Sequence, residues 1–129
     1  MTARVIVEDD PSQRRILEEM MKRFGFEAVS ADSGAKGLDI LGGPAGGQIE
    51  LVILDLMMPG MDGLEFLERM NGVRGHIPVI VQTAQGSIET VIKAMRAGAD
   101  DFVVKPISPE RLRVSVQNLL KVNALTEEV

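Results

Sequence analysis

The chain has 129 residues, 45% of them apolar and 26% charged, as expected of one globular domain with a single buried core. It has no cysteine, which excludes disulfides, thiolate zinc sites and cysteine nucleophiles; its one histidine, His76, excludes histidine-cluster metal sites and disfavours a serine triad. A net charge of −5, no Trp or Tyr and only four Phe argue against nucleic-acid binding, and no apolar run approaches the ~20 residues of a membrane span, so a cytoplasmic location is expected.

In chain order, the first apolar run is Val5-Ile6-Val7, closed by the acids Glu8 and Asp9. Asp10 is placed to cap a helix with Pro11 in its first turn, and Ile16, Leu17, Met20, Met21 and Phe24 form its inward face. Glu27-Ala28-Val29-Ser30 is weaker and more polar, as an edge strand would be. Ala35, Leu38 and Leu41 line a second helix, stopped by Gly42-Gly43-Pro44. The stretch from Gly42 to Gly47 lacks the Gly-Lys-Ser/Thr of a phosphate loop and reads as a flexible connection.

Leu51-Val52-Ile53-Leu54 then runs into Asp55-Leu56-Met57-Met58-Pro59-Gly60-Met61-Asp62-Gly63. Asp62 and Glu65 read as a capping box for a third helix that turns Leu64, Leu67 and Met70 inward. His76 belongs to a polar loop, and Val79-Ile80-Val81 forms a fourth strand, followed by Thr83 and Ala84. Ile88, Val91, Ile92 and Met95 give a fourth helix its inward face, ended by Gly98. Asp100 and Asp101, read as solvated, precede Phe102-Val103-Val104 and Lys105-Pro106. Ser108-Pro109 opens the last helix, with Leu112, Val116, Leu119 and Leu120 inward.

Strand runs without polar alternation are buried on both faces, which indicates a parallel sheet, and the βαβαβαβαβα order indicates an open α/β sheet. Right-handed crossovers allow the strand order 2-1-3-4-5, with a ligand site outside the carboxyl ends of strands one and three. Those ends carry Glu8, Asp9 and Asp55. Three carboxylates converging on one spot repel each other and call for a cation. Asp55, at the mouth of a buried strand and followed by a tight Pro/Gly loop, is the residue on which function centres.

With the acid pair Glu8-Asp9, the Asp55 segment through Gly63, Thr83-Ala84 and Lys105-Pro106 in this order at strand ends, the chain resembles a response-regulator receiver domain of two-component signalling over essentially its whole length. The stretch from Gly86 to Ile107 further resembles receivers of the nitrogen-regulation (sigma-54 activator) type. Two positions depart from the family's habit: Glu8 stands where Asp is commoner, and Phe102 where Tyr is frequent.

The resemblance implies a five-stranded, flavodoxin-like three-layer sandwich with Asp55 as phosphoacceptor. It also implies Mg2+ as cofactor, held by Glu8, Asp9, Asp55 and the main-chain carbonyl of Met57. Lys105 and Thr83 become the catalytic groups that contact phosphoryl oxygens, Thr83 and Phe102 the switch, and Lys105-Pro106 a cis peptide. The implied partners are a sensor histidine kinase and an output domain or partner protein on the face made by the fourth helix, fifth strand and fifth helix.

Residues 1–121 are read as this domain and 122–129 as the start of a helical linker to a possible output domain. Val122, Leu125 and Val129 are spaced as a short heptad seam, which points to a possible homodimer. Two alternatives stand beside a regulator of transcription. One is a stand-alone receiver acting by protein–protein contact. The other is a haloacid-dehalogenase-like phosphatase, disfavoured because Met57 occupies the position that chemistry requires for an acid.

Overall fold

The four apolar runs and the polar edge run all become strands: β1 Ala3–Val7, β2 Ala28–Ala31, β3 Ile49–Asp55, β4 Val79–Thr83 and β5 Asp101–Val104. They alternate with helices α1 Pro11–Arg23, α2 Gly34–Gly42, α3 Gly63–Val73, α4 Ile88–Arg96 and α5 Pro109–Glu127, plus a 3-10 turn at Gly46–Gln48. This is a computed structural model, and it describes residues 3–44, 46–58, 60–73, 77–84 and 88–127. His76, Gln85 and Val129 lie outside the described residues, as do the side chains of Val122 and Leu125.

All strand pairs are parallel and the order is β2-β1-β3-β4-β5, as the crossover rule anticipates. The period-two pleat sends alternate residues to opposite faces and divides the core into two layers. Ile6, Leu51, Ile53, Ile80 and Val103 pack against Leu17 and Met21 of α1 and Leu112 and Val116 of α5. Val5, Val7, Val52, Leu54, Val79 and Val81 pack against α2, α3 and α4 through Leu41, Phe66, Leu67, Met70 and Ala94. Phe66 is the largest fully buried side chain, and the spacing of apolar residues in α3 did not single it out.

The caps form by local hydrogen bonding. Asp10 accepts from the Ser12 and Gln13 amides with Pro11 in the first turn of α1, which fills two of the donors a helix start leaves open. At α3 only half of the expected box is made: Asp62 Oδ1 takes the Glu65 amide at 2.9 Å, while the Glu65 carboxylate pairs with Arg69 at 2.8 Å. Gly98, at φ +116°, closes α4 in the left-handed region that glycine enters without strain. The Gly-rich segment is more ordered than its composition suggests: Gly46 opens the 3-10 turn, donating to the Gly43 carbonyl, with no room for a Cβ against Leu41.

Several expected inward faces turn outward. Ile88, Ile92 and Met95 of α4 are 71, 47 and 39% exposed, and the helix covers the sheet with Ala94 instead. Ile88, Val91 and Ile92 line an open cavity with Thr83, Phe102 and Val104 instead of closing onto the sheet. The edge strand β5 is buried only at Val103, not on both faces. Ile16 of α1 and Ala35 of α2 are likewise exposed.

Asp100 and Asp101 are not simply solvated. Asp100 Oδ2 accepts the Val79 amide at 2.8 Å, where β4 begins. Asp101 receives both Nη atoms of Arg111 and the Ser115 hydroxyl, which ties the start of β5 to α5.

Candidate phosphoacceptor site and family

Register brings the site together. One residue beyond the Val7–Leu54 pair, Glu8 stands beside Asp55, and Asp55 pairs in turn with Gln82 on β4. Glu8, Asp55 and Gln82 thus form one row at the carboxyl end of the sheet, on the α1/α5 side shared by Ile53 and Ile80. Asp9, half-buried, follows Glu8, and Glu8, Asp9 and Asp55 each bring a carboxylate oxygen within 4.8 Å of the others. Residues distant in sequence meet because strands one and three are neighbours where the winding reverses.

Each group in the cluster has defined partners. Asp55 is 2% exposed; its Oδ1 accepts the Met57 amide at 3.1 Å and its Oδ2 lies 3.3 Å from Lys105 Nζ. Lys105 Nζ also lies 3.6 Å from Glu8 Oε2. The Lys105-Pro106 peptide is cis. Glu8 accepts the Asp10 amide at 3.3 Å and the Gln82 side-chain amide at 3.1 Å, and Arg14 donates to the Glu8 carbonyl. Met57 is 66% exposed, so its side chain lies outside the core.

The electrostatics are those of a carboxylate cluster with one ammonium among them. Burial pushes Glu8 up to about 7, with the Asp55 charge and a hydrogen bond shared with Asp55 adding to the rise and Lys105 opposing it. A divalent cation among three such oxygens removes that repulsion. The donor set fits one: every side-chain donor is a carboxylate oxygen, which hard cations such as Mg2+ prefer. Gln82 Oε1 is buried with no partner among the described residues, an acceptor available to a water in a cation's shell.

Thr83 is 2% exposed and lies on the other sheet face, away from the carboxylates; its hydroxyl donates to the Ala84 carbonyl at 3.4 Å. It lines a cavity of about 360 Å³ with Ala84, Ile88, Val91, Ile92, Phe102 and Val104. Phe102 is 37% exposed there, between the Thr83 end of β4 and the open face of α4. Gln82 is the site residue that the sequence pattern did not flag. Its signal was a polar residue continuing the buried run Val79-Ile80-Val81 at the level of Asp55.

The profile of the response regulator receiver domain matches residues 5–117. The chain belongs to that family. It is 39% identical over 127 residues to the cyclic di-GMP phosphodiesterase response regulator RpfG of Xanthomonas campestris, covering 97% of the chain and 33% of that protein. It is 34% identical over 125 residues to the regulatory protein AtoC of Escherichia coli, covering 97% of the chain and 26% of AtoC. The crystal structure of NtrX from Brucella abortus superposes with a TM-score of 0.89 at 28% identity, covering 98% of this receiver and 29% of that chain. The resemblance to receivers of the nitrogen-regulation type accords with NtrX and AtoC among these relatives. This receiver spans between about a quarter and about half of the length of the curated relatives it matches. No helix among its described residues is long and apolar enough to cross a membrane.

Proposed function

We propose that this receiver is a phosphorylation-activated switch: a sensor histidine kinase transfers a phosphoryl group to Asp55, and the face made by α4, β5 and α5 changes in response. What supports this most is the contact of Lys105 Nζ with Asp55 Oδ2 at 3.3 Å beside two further carboxylates. A nucleophilic carboxylate, an ammonium and a cation-binding acid pair are the parts an in-line phosphoryl transfer needs.

An Asp55 carboxylate oxygen attacks phosphorus, the phosphorus–nitrogen bond of the donor breaks, and the donor imidazole leaves with the electron pair and takes up a proton. Lys105 meets charge on the phosphoryl oxygens. Glu8, Asp9, Asp55 and the Met57 carbonyl would hold Mg2+, which when bound supplies charge neutralisation on those oxygens. For Thr83 to serve that phosphoryl group, its hydroxyl must leave the Ala84 carbonyl and swing from the α4 side of the strand end toward Asp55, and that displacement is the switching movement. Phe102, lining the same cavity as Thr83, then repacks against α4.

The exposed apolar residues Ile88, Ile92, Met95, Phe102 and Val104 suit a face read by an output domain or partner protein. We read residues 1–121 as the switch and the α5 segment from 122 as the start of a connection, through which a second copy can also associate. Regulation of transcription through that connection is the preferred output, in the cytoplasm, with the domain itself a signalling module rather than a turnover enzyme. The test is to incubate the protein with acetyl phosphate and follow intact mass. One phosphoryl group per chain should be added with magnesium present and none after chelation; addition that ignores the cation would overturn the mechanism.

A further inference from the structure

Gln82 is wholly buried in the interior strand β4, where its neighbours Ile80 and Val81 are apolar. A primary amide taken out of water there costs stability unless it is hydrogen-bonded. It spans the row: paired with Asp55 in register, it reaches past β3 to Glu8, the residue after β1, donating Nε2 to Oε2 at 3.1 Å. Its Oε1 accepts nothing from the described residues. A core chosen for packing alone would carry a methionine or leucine at this position.

Glu8 has one carbon more than Asp and so one more torsion to fix before its oxygens can serve a cation. The Asp10 amide holds Oε1, and the Gln82 amide holds Oε2 on the side of Asp55 and Lys105. We infer that Gln82 is a positioning residue for the cation of the Asp55 site: it orients Glu8, and its free amide oxygen takes a hydrogen bond from a cation-bound water. This rests on the magnesium site proposed above. Outer partners of this kind tune metal affinity by orienting the ligands themselves.

The test is calorimetric titration with Mg2+ of the wild-type protein, Gln82→Met, Glu8→Gln and the double variant, together with melting of each without cation. Gln82→Met keeps the volume but removes both amide functions. It should weaken Mg2+ binding about tenfold. In the Glu8→Gln background the same change should weaken binding less than about twofold, since the two act as one unit. The cation-free melting temperature of Gln82→Met should equal or exceed that of the wild type. If the methionine does not fit, Gln82→Ala carries the same affinity comparison.

Unchanged affinity in Gln82→Met, or an equal loss in both backgrounds, would overturn the inference while leaving the cation site standing. So would a loss of affinity together with a lowered cation-free melting temperature, which would assign Gln82 to packing. A wild-type protein that binds no Mg2+ would overturn the site reading itself.

Discussion

Asp101 shows how one carboxylate is tuned by competing surroundings. Burial pushes it up, but hydrogen bonds from Arg111, Ser115 and the Phe102 amide, with the guanidinium charge, outweigh burial and hold it below the ordinary 3.8. A folded-state value below the unfolded one adds stability that is fully present above pH 3.8 and is lost as pH falls through the lower folded value. Asp101→Asn should therefore destabilise the domain near neutral pH, and the gap in melting temperature to wild type should narrow as the pH drops below the unfolded value. A gap independent of pH would show that charge on Asp101 contributes nothing. Met57 carries a different residue-scale prediction. Hydrolysis of an aspartyl phosphate needs a water aligned in line with phosphorus, and the exposed thioether two residues after Asp55 has no polar group to orient one. Met57→Asn should shorten the lifetime of the phosphorylated form, followed by mass or phosphorus resonance; an unchanged or longer lifetime would refute this account.

At the scale of elements, the junction of β3 and α3 is tightly specified. A Cβ on Gly63 would lie 2.7 Å from the Leu56 Cα and 3.0 Å from the Asp55 carbonyl, so α3 approaches the loop after Asp55 as closely as only glycine allows. Gly63→Ala should destabilise the domain by about 1–3 kcal/mol through overpacking against backbone, read by denaturant unfolding. It should also slow phosphorylation, since the atoms displaced flank Asp55. A neutral Ala would mean that the loop yields freely. The strands, their order and the acid trio were legible because unbroken apolar runs mark buried parallel strands, and because crossover handedness leaves few windings. The α4 face was not, because Ile88, Ile92 and Met95 have the period of a core stripe whether they close onto a sheet or stay exposed beside it. Gln82 and Asp101 escaped for a related reason: their partners Glu8 and Arg111 lie on other elements, and only the register and the α5 packing bring them together.

For the whole molecule, the cluster at the carboxyl edge costs stability, because buried Glu8 and Asp55 repel each other. On the proposed reading, a cation bound only by the folded state would recover that loss by mass action. Magnesium at a hundredfold excess over its dissociation constant should add about 2.7 kcal/mol, seen as a rise in melting temperature, and Asp9→Asn should blunt the rise. An equal rise in the variant would remove Asp9 from the cation site. The proposed phosphoryl transfer runs through one carboxylate, so the most direct measurement is the phosphoryl adduct of Asp55→Asn. Wild type and variant are each incubated with acetyl phosphate and magnesium, and the adduct is weighed and mapped to a peptide. The account predicts one phosphoryl group on the wild-type peptide that contains Asp55 and none on the variant. Undiminished labelling of Asp55→Asn, or a wild-type adduct on the peptide carrying Glu8 and Asp9, would contradict it.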